Sequence, residues 1–182
     1  MLVTPTEIPE VLVIEPHVFE DERGFFFESY NLEIYRKSGI PSIFVQDNHS
    51  RSVRNTLRGL HYQINPGQEK LVRVISGEVF DVAVDIRFGS PTFGKWIGIY
   101  LSAVNRKQMF IPKGFAHGFC VTSEVAEFEY KCSEYYSPQD ERGILWNDPA
   151  LAIDWPVSHP LLSLKDKRNK SFESIDRDFI YP

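Results

Sequence analysis

Apolar residues fall in many short runs broken by turn-forming residues, and in two of these, Val79 to Ile86 and Val125 to Cys132, they form one face at a period of two. Glu10-Val-Leu-Val-Ile-Glu15 predicts a first strand, and the Phe-rich span from Val18 to Glu28, interrupted by Asp21-Glu22-Arg23-Gly24, predicts strand–turn–strand. Asn55 to Gln63 leads into another strand, which Ile64-Asn65-Pro66-Gly67 breaks. Further strands are predicted at Leu71 to Ser76, Val79 to Ile86, Trp96 to Leu101, Gln108 to Ile111, Gly118 to Thr122 and Val125 to Cys132, with turns at Gly77 and Phe88-Gly89-Ser90-Pro91. From Val79 to Ile86, Phe80, Val82, Val84 and Ile86 share one face, and Asp81, Ala83 and Asp85 share the other. From Val125 to Cys132 the apolar face carries Ala126, Phe128, Tyr130 and Cys132; it turns inward and takes Tyr130 with it. A single helix is predicted, over Asn31 to Ser38, with Asn31 as its cap and Gly39 ending it. Beyond Pro156 the pattern becomes irregular or partly helical. Many short strands at this spacing predict an all-β sandwich or barrel, organised as one domain over residues 1–182.

Composition narrows the function classes. With 182 residues the chain buries a sizeable core without cross-links. A net charge of −5 argues against a nucleic-acid binder, which carries a basic face, but leaves room for an anionic small ligand held by a few arginines. Cys120 and Cys132 form no CxxC pair and read as reduced, buried thiols. The start, Met1-Leu2-Val3-Thr4-Pro5, lacks the charged and apolar regions of a signal peptide, and no run approaches ~18 apolar residues. A cytoplasmic protein with no membrane partner is the expectation.

The candidate chemistry lies in two segments. Pro112-Lys113-Gly114-Phe115-Ala116-His117 resembles, intact, the second motif of metal-binding cupin barrels, Pro-x-Gly-x-x-His. The first motif is altered: His61 stands at its first ligand, Gln63 at its second, and Lys70, seven residues before Gly77, replaces the acidic ligand. A protonated lysine repels a divalent ion and offers it no lone pair, so no metal and no other cofactor is expected. The outline therefore resembles a cupin double-stranded β-helix, a jelly-roll barrel, with a few short peripheral helices. A histidine is a base poised near neutral pH, a tyrosine delivers a proton from another direction, and an ammonium stabilises an oxyanion. Together His61, Tyr130 and Lys70 suit proton abstraction next to a carbonyl, followed by reprotonation. Taken singly, His61 and Tyr130 also fit ordinary core positions, Lys70 a solvated surface charge, and Arg23, Asp47 and Asn48 turns.

Across its length the chain resembles the dTDP-4-dehydrorhamnose 3,5-epimerase family. The matching blocks include Asp21-Glu-Arg-Gly-Phe-Phe-Phe-Glu-Ser29, Val45-Gln-Asp-Asn-His-Ser50, Leu57-Arg-Gly-Leu-His-Tyr-Gln63, Lys70-Leu-Val-Arg-Val74 and Gly77-Glu-Val-Phe-Asp-Val-Ala-Val-Asp-Ile-Arg87. They continue through Ser90-Pro-Thr-Phe-Gly94, Ile111-Pro-Lys-Gly-Phe-Ala-His-Gly-Phe119, Glu129-Tyr-Lys131, Tyr135-Tyr-Ser-Pro138, Ile144-Leu-Trp-Asn-Asp148 and Leu164-Lys-Asp166. The resemblance implies that His61 is the base, Asp166 the carboxylate that orients it, Tyr130 the acid and Lys70 the enolate stabiliser. It implies a dTDP-4-keto-6-deoxyhexose substrate, contacted by Arg23, Glu28, Gln46, Asp47, Asn48, Arg58, His117, Glu141 and Lys165. Phe26 and Tyr136 would stack on thymine. It also implies a homodimer in which residues Arg23 to Glu28 reach across to the partner's site. Epimerisation at a single centre, or ketoisomerisation, is the alternative activity on the same fold.

Overall fold

A computed structural model of the chain describes residues 1–40 and 43–182. Two antiparallel sheets pack face to face. The first contains six strands in the order β1 (Leu2–Pro5), β2 (Leu12–Glu15), β10 (Gln108–Ile111), β7 (Lys70–Ser76), β12 (Val125–Cys132) and β5 (Gln46–Val53). The second contains five, in the order β13 (Glu141–Gly143), β6 (Leu57–Gln63), β11 (Phe115–Val121), β8 (Glu78–Asp85) and β9 (Trp96–Ser102). A hairpin of β3 (Phe19–Asp21) and β4 (Gly24–Phe26) stands apart from both. This is the all-β cupin jelly roll, with one short helix, α1 (Leu32–Lys37), and single 3₁₀ turns at Asp166–Arg168 and Phe172–Ser174.

Local sequence explains most of these elements. The Asn31 side chain accepts from the backbone N–H groups of Glu33 and Ile34, capping α1 as its residue type predicts. The inward faces of the sheets meet in a core that includes Val72, Val74, Met109, Ala126 and Phe128 from one sheet and Val79, Ala83, Leu101, Phe115, Phe119 and Val121 from the other, with Tyr130 packed against it. The alternation in β12 therefore points inward as read.

Two features depart from the sequence pattern. The span Gln46–Val53 is a full strand, in which Asp47 and Asn48 are the second and third residues and form no turn. Its inward side chains Gln46, Asn48 and Ser50 face a cavity and not the core, so the strand shows no hydrophobic alternation. In β8 the apolar face of Phe80, Val82 and Val84 lies outside the barrel. There it is buried under Ile144, Leu151, Trp155 and Ile175, with Leu162, Phe172 and Phe179 alongside. The irregular tail is thus a cover for the five-stranded sheet, tied down by single parallel bridges Thr56↔Leu161, Ile144↔Lys170 and Phe88↔Ile180. Cys120 and Cys132 are both free and buried. Among the described residues no helix is long and apolar enough to cross a membrane.

Candidate active site

Between the sheets lies a cavity of about 650 Å³, walled by β5, β6, β7, β11 and β12 and bounded by residues 161–166 of the tail. Strand β6 supplies two of its polar groups through an irregularity. His61 pairs with His117 and Arg58 with Phe119, so a three-residue step on β6 opposes a two-residue step on β11. The extra residue breaks the strict alternation and lets Arg58 and His61 both line the cavity. Gly59 lies within this step at φ +131, and a Cβ there would stand 2.5 Å from the Gly118 Cα and 2.9 Å from the His117 carbonyl oxygen. The position therefore requires glycine.

The His61 Nε2 lies 2.5 Å from the Asp166 Oδ1. Asp166 is buried at the head of a 3₁₀ turn, and its other oxygen accepts from the Ser163 hydroxyl at 2.8 Å. Burial opposes ionisation of this carboxyl, but its hydrogen bonds from His61 and Ser163 win and hold it below its ordinary range. An anion at Oδ1 requires the proton on Nε2, which leaves the Nδ1 lone pair of a neutral His61 free to take a proton.

Tyr130, on β12, has no hydrogen-bond partner for its phenol among the described residues, and burial pushes it up to about 12. The phenol therefore stays protonated near neutral pH. The Lys70 ammonium sits 5.9 Å from the centre of the Tyr130 ring, with no hydrogen bond or ion pair among the described residues. Desolvation pulls it below the ordinary lysine range, against the opposing influence of Cys132, Glu141 and Asp81. An ammonium without a protein partner, facing a cavity, is available to an oxyanion.

His117 also lines the cavity, and its Nε2 bonds both carboxylate oxygens of Asp81, at 3.0 and 3.1 Å. Burial lowers the pKa of this histidine and raises that of Asp81, each opposed by the other's charge. Sequence reading missed Asp81. On the sequence it stands with Ala83 and Asp85 opposite the apolar face of Phe80, Val82 and Val84, and so looks like the solvent side of the strand.

At the rim, Glu141 accepts from the Tyr136 hydroxyl at 2.5 Å and pairs with Lys165. Burial alone would raise the Glu141 pKa, but these two partners hold it low. The Arg58 Nε donates to the Ser52 hydroxyl at 3.1 Å. The Asn48 amide accepts from the Gln46 Nε2 at 3.0 Å.

Four expected substrate contacts are not brought to this cavity within the chain. Arg23 pairs with Asp21 on the exposed β3–β4 hairpin, and Phe26 there is 66% exposed. Glu28 accepts from the Asn31 side chain at the start of α1. Asp47 points away from the cavity, because it alternates with Gln46 and Asn48 along β5, and it pairs with Lys131. Arg106 fixes the hairpin, pairing with Glu20 at 2.6 Å and stacking 4.2 Å from the Phe25 ring.

The donor set does not suit a metal ion. His61 is committed to Asp166, Lys70 is a cation, and the Gln63 amide is turned to backbone groups. Among the described residues no three His, Cys, Asp or Glu side chains gather as a metal-binding group.

The sequence profile described as dTDP-4-dehydrorhamnose 3,5-epimerase matches residues 5–174. The dTDP-4-dehydrorhamnose 3,5-epimerase of Shigella flexneri is 58% identical over 181 residues, covering 98% of this chain and 99% of its own length. The enzyme of that name from Pseudomonas aeruginosa is 60% identical over 178 residues, covering 97% of this chain and 98% of its own. A crystal structure of dTDP-6-deoxy-D-glucose-3,5-epimerase from Legionella pneumophila, in complex with dTDP-4-keto-L-rhamnose, superposes with a TM-score of 0.97 at 52% identity, covering 100% of this chain and 98% of that one. A dTDP-4-dehydrorhamnose 3-epimerase of Streptomyces niveus is more distant, at 42% identity over 92% of this chain and 82% of its own length. With this likeness running nearly end to end, in sequence and in fold, the chain belongs to the dTDP-4-dehydrorhamnose 3,5-epimerase family.

Proposed function

We propose that this protein converts dTDP-4-dehydro-6-deoxy-D-glucose to dTDP-4-dehydro-L-rhamnose by inverting C3 and C5, without a metal or other cofactor. The observation that carries the reading is the His61–Asp166 pair, held at 2.5 Å beside an unpaired Lys70 ammonium and a protonated Tyr130 in one cavity. The C4 ketone acidifies the hydrogens on C3 and C5. His61, its tautomer set by Asp166, takes the proton from carbon, and the electron pair moves into an enolate on the C4 oxygen. The Lys70 ammonium stabilises that oxygen. Tyr130 returns a proton to the opposite face of the same carbon, and the configuration inverts. The His61 and Tyr130 protons then re-equilibrate with solvent, so one set of groups serves both carbons.

Arg58, Lys165, Asn48, Glu141 and His117 act as polar contacts for the nucleotide sugar, and Tyr136 as the stacking partner of the thymine ring. The exposed Phe26, with Arg23 on the same hairpin and Glu28 just beyond it, fits a dimer in which this segment completes the partner's cavity. A single domain over residues 1–182, acting in the cytoplasm as a homodimer, is the form we infer.

The test is incubation with dTDP-4-keto-6-deoxyglucose in D₂O. Deuterium at both C3 and C5 is the expected result, and His61→Asn abolishes it while the fold persists. Label at C3 alone would reassign the chain to the 3-epimerases, and no label would end the reading. A monomer mass in light scattering would remove the shared-cavity arrangement.

A further inference from the structure

The segment joining β12 to β13 carries Tyr136, yet it has little apolar anchorage: Tyr135 is 70% exposed and Tyr136 52%. Three glutamine amides hold it instead. The Gln68 Nε2 donates to the Glu134 carbonyl at 2.8 Å, and the Gln63 Nε2 to the Tyr135 carbonyl at 3.2 Å. The Gln46 Oε1 accepts from the Tyr136 N–H, and the Gln63 Oε1 from the Ser137 N–H, each at 2.9 Å. Four consecutive residues, 134–137, are thus each bound through their backbone to a glutamine on the cavity wall.

Gln63 is the centre of this arrangement. It is 4% exposed, makes two of the four bonds, and donates once more, to the Pro66 carbonyl at 3.0 Å. It occupies the strand position two residues after His61, where a metal-binding barrel of this outline has its second ligand. Here that position serves the cavity rim. The far end of the Tyr136 side chain is fixed as well, because its hydroxyl donates to Glu141 at 2.5 Å.

We propose that Gln63, assisted by Gln46 and Gln68, is a positioning residue for nucleotide recognition: it fixes the backbone of residues 134–137 so that the Tyr136 ring is presented to the base. The proposal rests on the reading that Tyr136 stacks on thymine. A buried amide that loses its bonding capacity leaves three backbone groups without their partner, and the segment loses its fixed position. The loss falls on binding of the nucleotide and not on proton transfer, since His61, Lys70 and Tyr130 are held by other contacts.

Titration calorimetry with TDP on Gln63→Leu, Tyr136→Ala and the double variant tests it, together with steady-state kinetics. Gln63→Leu weakens TDP binding about tenfold or more, and KM rises by a larger factor than kcat falls. In the Tyr136→Ala background the same substitution changes TDP affinity by less than about twofold, because the ring it positions is gone. Equal losses in both backgrounds, or a fall in kcat with TDP affinity intact, would overturn the positioning role. Wild-type TDP affinity in Tyr136→Ala alone would instead refute base stacking, and the proposal with it. Should Gln63→Leu fail to fold by circular dichroism, Gln68→Leu carries the same cycle with a smaller loss, judged by the same criteria.

Discussion

Replacing Asp166 with asparagine isolates what the carboxylate does for His61. The side chains match in size, and Asp166 is only 3% exposed, so the packing of the 3₁₀ turn is kept. What changes is the 2.5 Å contact to the His61 Nε2. A charge-assisted hydrogen bond of this kind contributes ~1.5–3 kcal/mol, and here it counts in full when the imidazole takes up the substrate proton. At ~1.4 kcal/mol per factor of ten, that is roughly a 10- to 150-fold loss. A second effect adds to it. The asparagine must also keep its bond with Ser163, and if its NH₂ faces Nε2 the histidine places its own proton on Nδ1, where the lone pair is needed. In a serine protease triad, the corresponding exchange of the orienting aspartate costs about 10⁴. We therefore expect deuterium exchange at C3 in Asp166→Asn to fall by between ~10² and ~10⁴. The assay is single-turnover exchange followed by mass spectrometry, with TDP calorimetry as the check that the cavity is intact. Exchange within about threefold of the unmodified enzyme, with TDP still bound, would refute the assignment of Asp166 as the group that sets the His61 tautomer.

Three further outcomes follow from the geometry. Burial pulls the Lys70 ammonium below its ordinary 10.5, whereas Tyr130 is pushed up to about 12, so the alkaline fall in kcat reports loss of the lysine proton first. A profile that stays flat to pH 10.5 would contradict the role of Lys70 at the enolate. Asp85 is buried, which raises its pKa, but hydrogen bonds from Arg87, Ser90 and Thr92 hold it below 3.8. Its stabilising contribution is complete above that unfolded value and is lost as pH falls through the lower folded one, so Asp85→Asn costs about 3 kcal/mol at pH 7 and shrinks the difference in melting temperature between pH 7 and pH 2. Gly59→Ala forces a side chain into left-handed backbone 2.5 Å from the Gly118 Cα, costing about 1–3 kcal/mol and displacing His61; a variant with unchanged melting temperature and rate would refute the close approach of β6 and β11.

The strands that bury one apolar face against the other sheet were legible from the chain alone, and so was α1 through Asn31. What escaped was determined by contacts that carry no local pattern. Strand β5 looks featureless because its inward side chains meet a cavity. Asp81 looks like the solvent side of β8, and only the tail, folded over Phe80, Val82 and Val84, makes that strand buried on both faces. At the site, His61 was readable as the first position of the altered motif and Lys70 from its spacing against Gly77, since both lie in one short stretch of sequence, although β6 and β7 fall in opposite sheets. Asp166 was readable only through family resemblance, because no periodicity links it to β6. The amides of Gln63 and Gln68 were invisible for another reason: their partners are backbone groups, which are the same whatever residue carries them.

His61 and Asp166 lie 105 residues apart in the chain. The barrel strands up to Cys132 are complete well before the segment that supplies the carboxylate, and that segment reaches the cavity only by crossing the five-stranded sheet. Closing so long a loop costs entropy, which the burial of Phe80, Val82 and Val84 under Leu151, Trp155 and Ile175 helps to offset. The layer that covers the outer face of the five-stranded sheet therefore also carries the His61–Asp166 contact inside the cavity. Packing on one face of that sheet and geometry on the other are held by the same stretch of chain.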